Sequence, residues 1–282
     1  MEVMKPLTCD IIFMVDGIII FDTFKKLNMK KLNLVLLIAF FPLISLAQSK
    51  NKKEEQKVQQ VSQTVETEIS VYNQAMRFGD YDAARYALYT LRAKHPENIS
   101  YLDSLIRIYF ITGNWAQCIF AGTDYNAKDT SNVGVMEMMA ISNSNLARNK
   151  DALELYEKIY GKSRQLYHAY QIAVHQYIMQ RYGECAQTID LIVNDTTSAT
   201  ELINIDIDKG KGQQVPIRAS ALNLRGVLLK EINMNAKAKE NFEAALQLAP
   251  DFVLAKNNLE EMKKAEAKKE EEKKPEPVKR NK

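Results

Sequence analysis

A 34-residue recurrence runs through the middle of this chain. A chain that repeats at that period can bury its apolar side chains only by stacking each copy on the next. Gly79, Gly113, Ala147, Gln180 and Asn233 mark equivalent points, spaced 34, 34, 33 and 53 residues apart. The last interval is one repeat plus an insertion. Five residues beyond each anchor stand Ala84, Cys118, Ala152, Cys185 and Ala238, all small. Seven before it stand Tyr72, Ile106, Ala140, Ala173 and Gly226. Nine and twelve beyond it, Leu88/Leu91, Tyr156/Ile159, Ile189/Ile192 and Phe242/Ala245 keep the three-residue step of a buried helical stripe. With few glycines and prolines, the spacing predicts two helices, A and B, joined by a tight turn in each copy.

These columns resemble the tetratricopeptide repeat (TPR). The last copy, Gly226, Ala238, Phe242, Ala245 and Pro250, carries the resemblance best, and Pro96 fills the late proline slot of the first. The second copy departs, with Gly122 where a large apolar residue is usual, so its B helix is expected to pack loosely. The resemblance covers about residues 65–262 apart from 194–216. It implies an all-α, right-handed superhelical solenoid of about five helix-turn-helix repeats plus a C-terminal capping helix.

The organisation expected is repeats 1–4 over 65–193, an insertion over 194–216, repeat 5 and its cap over 217–262, and a charged, disordered or frayed-helical tail over 263–282. In the insertion, Leu202 to Asp208 alternates apolar and polar, Lys209 to Gly212 breaks the pattern, and Gln213 to Ile217 alternates again. That reads as a small β-hairpin or an irregular loop. At the other end, Lys30-Lys31, the apolar run Leu32 to Leu46 and Ser45-Leu46-Ala47 read as a signal peptide over 29–47, cleaved near Ala47-Gln48, or retained as an anchor. Residues 1–28 then read as a mis-assigned upstream extension and 48–64 as a charged linker. Export to a periplasm or cell envelope follows as an expectation.

The chemistry available is narrow. His95, His168 and His175 are the only histidines, and the last two lie seven residues apart, about 10 Å along a helix, too far to share a metal easily. Asp206 and Asp208 miss the calcium-loop spacing, with Gly210 fifth rather than sixth and Ile217 where the twelfth-position glutamate belongs. Cys118 and Cys185 fall in the small column two repeats apart, beyond disulfide reach, and are expected buried and unpaired. The near balance of 38 Lys/Arg against 35 Asp/Glu offers no concentrated basic face for nucleic acid. No enzyme, metal or cofactor is expected.

The resemblance implies a non-enzymatic scaffold that holds a protein or extended peptide on the concave face lined by the A helices. An alternative is a self-assembling structural component of the envelope, with weak self-association. The groove columns give Glu66, Ile69, Asn73 and Met76; Ser100, Asp103, Arg107 and Phe110; Gly134, Glu137, Ile141 and Ser144; Tyr167, Tyr170, Val174 and Tyr177; and Ser220, Asn223, Val227 and Lys230. The tyrosines of the fourth copy, with Val174 and with Arg107 and Phe110 across the groove, form the candidate site, because tyrosine buries a large rigid area and keeps a polar tip. Some of these tyrosines could instead pack between helices. The family's carboxylate clamp is not supported, since only Asn73 matches it and Ser104, Gly134 and Met138 occupy its other columns.

Overall fold

The structure, a computed structural model, describes residues 64–208 and 210–272, with side chains through 268. The upstream extension, the signal peptide, nearly all of the linker and the end of the tail lie outside the described residues. The chain divides into two units, Met1–Glu66 and Thr67–Lys282, and the repeats lie in the second apart from the first three described residues.

Five helix pairs follow one another: α1 (64–78) with α2 (Tyr81–Lys94), α3 (Ile99–Ile111) with α4 (Trp115–Asn126), α5 (Val133–Asn145) with α6 (Asn149–Ser163), α7 (Leu166–Ile178) with α8 (Tyr182–Asn194), and α9 (Ile217–Glu231) with α10 (Asn235–Leu248). The final helix, α11 (Val253–Glu272), caps the series. From α2 onward each helix packs on its neighbour in sequence, and A helices touch A helices, as with α3 and α5 or α7 and α9.

All five anchors have left-handed backbone, with φ of 70° at Gly79 and Gly113, 55° at Ala147, 58° at Gln180 and 62° at Asn233. The same two hydrogen bonds close every A helix. The anchor N–H donates three residues back (Gly79 to Met76, Ala147 to Ser144, Asn233 to Lys230), and the next N–H donates five back (Asp80 to Ala75, Arg148 to Asn143, Met234 to Leu229), at 2.8–3.2 Å. This double closure satisfies the last carbonyls of the helix and turns the chain into helix B.

The small column then sets how closely the helices approach. Ala84, Cys118, Ala152, Cys185 and Ala238 are all fully buried. Both cysteines are free, and burial lifts the Cys185 thiol to about 12, which keeps it protonated and unreactive. A Cβ at Gly226 would lie 2.5 Å from the Phe242 ring, so this close contact between α9 and α10 requires glycine. The expected loose packing at Gly122 is not what the structure shows. Met139 lies over it, its Cγ and Sδ 2.5 Å from where a Cβ would stand, so a flexible side chain from α5 fills the space left in α4.

The insertion forms a 3₁₀ turn (Thr196–Ala199) and an antiparallel hairpin of β1 (Leu202–Asp208) and β2 (Lys211–Pro216), with Ile203 opposite Val215. Those two side chains are buried. Ile203 joins the core of repeats 4 and 5, and Val215 packs with Phe252 and Ala255 at the cap. Polar links fasten the same segment. Gln213 donates to the Asp251 carbonyl and accepts from the Val253 N–H at the start of α11, while Arg218 donates to Ser198 and to the Asp195 carbonyl. A two-stranded hairpin is marginal alone, and here the repeats supply the surface it packs on. The capping helix runs past 262 to Glu272, into the segment expected as tail. Its Ala, Lys and Glu content favours helix, with opposite charges one turn apart.

An L-residue in left-handed backbone costs about 1–2 kcal/mol, partly offset by the greater freedom glycine has when unfolded, about 0.5–1 kcal/mol. Ala147→Gly and Gln180→Gly are each expected to raise stability by about 0.5–1 kcal/mol in urea titrations, and Asn233→Gly by less, since asparagine tolerates this conformation.

Candidate partner-binding groove

The A-helix positions that face the groove differ from repeat to repeat in what they leave accessible. On α3, Arg107 makes a two-point pair with Asp103, Nε to Oδ2 at 2.8 Å and Nη2 to Oδ1 at 3.3 Å, and this bond raises the guanidinium's already high pKa. Phe110 meets Trp115 edge-on with ring centres 5.8 Å apart. Both candidate residues of this helix are thus engaged within their own repeat, Arg107 exposed and Phe110 half-buried. On α5, Glu137, Ile141 and Ser144 are half-buried and Gly134 is exposed.

On α7 the four candidates separate. Tyr167, Val174 and Tyr177 are half-buried. Tyr170 is only 9% exposed and belongs to the buried cluster that includes Cys185, Ile189, Ile203 and Ile217. It is a core residue between repeats 4 and 5, and its place in a partner-facing cluster is corrected accordingly. The neighbouring groove columns could not show this, because the cluster that buries Tyr170 includes residues of the insertion and of α9. Tyr177 stays at the surface, its hydroxyl donating to Glu231 at 3.4 Å and its ring 6.0 Å from that of Tyr182.

Beneath this surface lies a polar layer between repeats 3 and 4. His168 and His175, 2% and 3% exposed, flank the fully buried Tyr156. The Tyr156 and His175 rings stack with centroids 5.6 Å apart, and the His168 ring lies 6.4 Å away. His175 Nε2 is 2.8 Å from Ser144 Oγ and its Nδ1 3.1 Å from Asn149 Oδ1. His168 Nδ1 is 2.9 Å from Ser163 Oγ, while its Nε2 has no hydrogen-bond partner and lies 3.6 Å from the Glu137 carboxylate. Tyr167 sits edge-on to the same imidazole at 5.4 Å. Burial and the nearby Glu137 carboxylate push the Tyr167 hydroxyl's pKa up, which keeps it protonated. The two histidines therefore serve separate networks that set the floor under Glu137 and Tyr167. The seven-residue spacing of the histidines is local, whereas the serines and asparagine that bond to them come from other helices.

At the C-terminal end the groove columns are closed. Ser220 is fully buried and Asn223 nearly so. Asn258 of α11 donates to Asn223 at 2.9 Å, and Lys230 pairs with Glu261 of the same helix at 2.7 Å. The accessible part of the A-helix face thus runs over α3, α5 and α7 and includes α1, where Ile69 and Asn73 are exposed and Met76 half-buried.

No protein-family model and no curated protein matches this sequence. Solved structures do match in fold. The crystal structure of a tetratricopeptide repeat protein from Parabacteroides merdae superposes with a TM-score of 0.57 at 18% identity, covering 74% of this chain and 76% of that one. This chain folds as a TPR solenoid. MamA matches with a TM-score of 0.53 at 13% identity over 66% of this chain and 91% of its own. YrrB, a TPR protein with an unusual peptide-binding site, matches with 0.53 at 13% over 72% and 90%. The TPR turn and small-residue column seen here are what such a stack requires, and the hairpin between the fourth and fifth TPR units interrupts the sequence period without interrupting the core.

Burial lowers the His175 pKa below its ordinary 6.5. In the folded TPR stack it therefore stays neutral at pH values where the unfolded chain takes up a proton. Its contribution to stability is full above about pH 6.5 and declines as pH falls toward the lower folded value, by at most about 1.4 kcal/mol per pH unit. Urea midpoints at pH 7 and pH 5 should differ less for His175→Gln than for the parent.

Proposed function

We propose that this protein is an exported, non-catalytic scaffold that holds an extended segment of another protein against the A helices of repeats 2 to 4. The observation that carries the reading is the contrast along the groove. Repeats 2, 3 and 4 present Asp103, Arg107, Phe110, Glu137, Ile141, Tyr167, Val174 and Tyr177 at accessible or half-buried positions, whereas α11 ties down the same columns in repeat 5. Tyrosines with apolar neighbours supply contact area, and Glu137 and the Asp103–Arg107 pair supply polar selection. The fold shared with YrrB, a TPR protein with an unusual peptide-binding site, supports a peptide or protein as the class of ligand. Since one repeat architecture serves many partners, the groove chemistry has to carry the argument. Export rests on the Lys30-Lys31 start, the Leu32 to Leu46 run and Ser45-Leu46-Ala47.

The test is a cross-linked pull-down from cells producing the full chain, beside Tyr167→Ala/Tyr177→Ala and beside Tyr170→Ala. The double variant should keep its thermal midpoint and lose capture at least about tenfold, as expected when interface aromatics are truncated. Tyr170→Ala should lose about 3 kcal/mol of stability, the cost of emptying an aromatic core position. Equal capture by the parent and the double variant would contradict the groove. The recovered chain should begin at Gln48 by mass spectrometry, and recovery beginning at Met1 or Met29 would contradict export with cleavage.

A further inference from the structure

The outer face of the stack carries a second surface, made visible by comparing the repeats with one another. Seven residues past each anchor, on the solvent side of the B helices, stand Tyr86, Phe120, Glu154, Gln187 and Glu240. Ten past stand Tyr89, Thr123, Glu157, Asp190 and Glu243. Apart from the half-buried neighbours that flank them, both columns are exposed in all five repeats. Repeats 3, 4 and 5 fill them with polar and acidic side chains, as a solvated helix face requires. Repeats 1 and 2 instead place Tyr86 at 72%, Phe120 at 68% and Tyr89 at 50% exposure. Large aromatics cost a soluble chain solubility when left in water, and a local group of them marks a contact surface.

The patch has a shape as well as a composition. At the foot of Phe120, between α2 and α4, lies a cleft of about 280 Å³ with Leu105 and Tyr109 in its wall. It is below the roughly 300–1,000 Å³ of small-molecule pockets and wide enough for one aromatic ring. Tyr89 and Tyr109 share a hydroxyl–hydroxyl contact, which fixes the wall. Arg92 and Asp124 stand on the rim, and neither has an ion-pair partner among the described residues.

We infer that a second copy of this chain docks here, two-fold symmetrically, with Phe120 of each protomer entering the cleft of the other. A two-fold interface needs projection and recess on the same patch, and opposite charges that can exchange partners across the axis. Phe120 and its cleft meet the first condition. Arg92 and Asp124, opposite in charge on one rim, meet the second. An unrelated peptide would need only the recess. The surface belongs to the B helices, so dimerisation leaves the A-helix groove of both copies open, and its success or failure is independent of partner capture.

The test is sedimentation velocity of the full chain across a concentration series, with Phe120→Ser, Arg92→Asp, Asp124→Arg and the Arg92→Asp/Asp124→Arg double variant. The parent should show a concentration-dependent dimer. Phe120→Ser and each charge reversal should weaken it at least about tenfold, and the double reversal should restore it to near the parent value. The restored dimer also shows that the single variants had not failed by unfolding. A parent that stays monomeric throughout, a dimer indifferent to Phe120→Ser, or a double reversal no better than either single one would each overturn the inference.

Discussion

The left-handed residue that ends every A helix is the constraint on which the rest of this structure depends. It lets the last carbonyls bond to the two following N–H groups, and in doing so sends helix B back along helix A at a fixed angle. Once that return is set five times over, the residue five places later always faces the neighbouring helix at close range, and only Ala or Cys stands there. Three of the five turns use Ala147, Gln180 and Asn233 rather than glycine. Packing further along the stack therefore holds a backbone conformation that the local sequence resists.

This order of causes explains what could be read from the sequence. The period, the turn positions, the small column and the buried stripe are local quantities that each copy repeats, so five weak signals reinforce one another. What the period could not show were contacts made between copies. Gly122 looked like a void because its filler, Met139, is on the next helix. Tyr170 looked like a groove residue because its buried cluster draws on Ile203 of the insertion, which has no counterpart in the other repeats. The spacing of His168 and His175 spoke only against a shared metal, because the Ser144, Asn149 and Ser163 that engage them lie on other helices. The extension of α11 to Glu272 takes the helical one of the two forms expected for the start of the tail, since Lys and Glu one turn apart suit a helix.

The same distinction organises function. Each A helix faces the groove, but what it offers depends on its neighbours: a closed ion pair on α3, a carboxylate over a buried imidazole on α5 and α7, and closure by α11 on α9. Buried polar groups hold side chains in one arrangement when satisfied, as both ring nitrogens of His175 are by Ser144 and Asn149. Outside the groove, two columns that repeats 3 to 5 keep polar carry Tyr86 and Tyr89 in repeat 1 and Phe120 in repeat 2, so the outer face varies along the stack independently of the inner one.

The hairpin decides whether this is one stack or two. If Ile203 is a core residue shared by repeats 4 and 5, then hydrogen exchange on Ile203→Ala should show α7, α8 and α9 losing amide protection together, with α3 and α4 little changed. Loss confined to residues 202–216, with α7 to α9 protected as in the parent, would contradict a continuous core across the insertion.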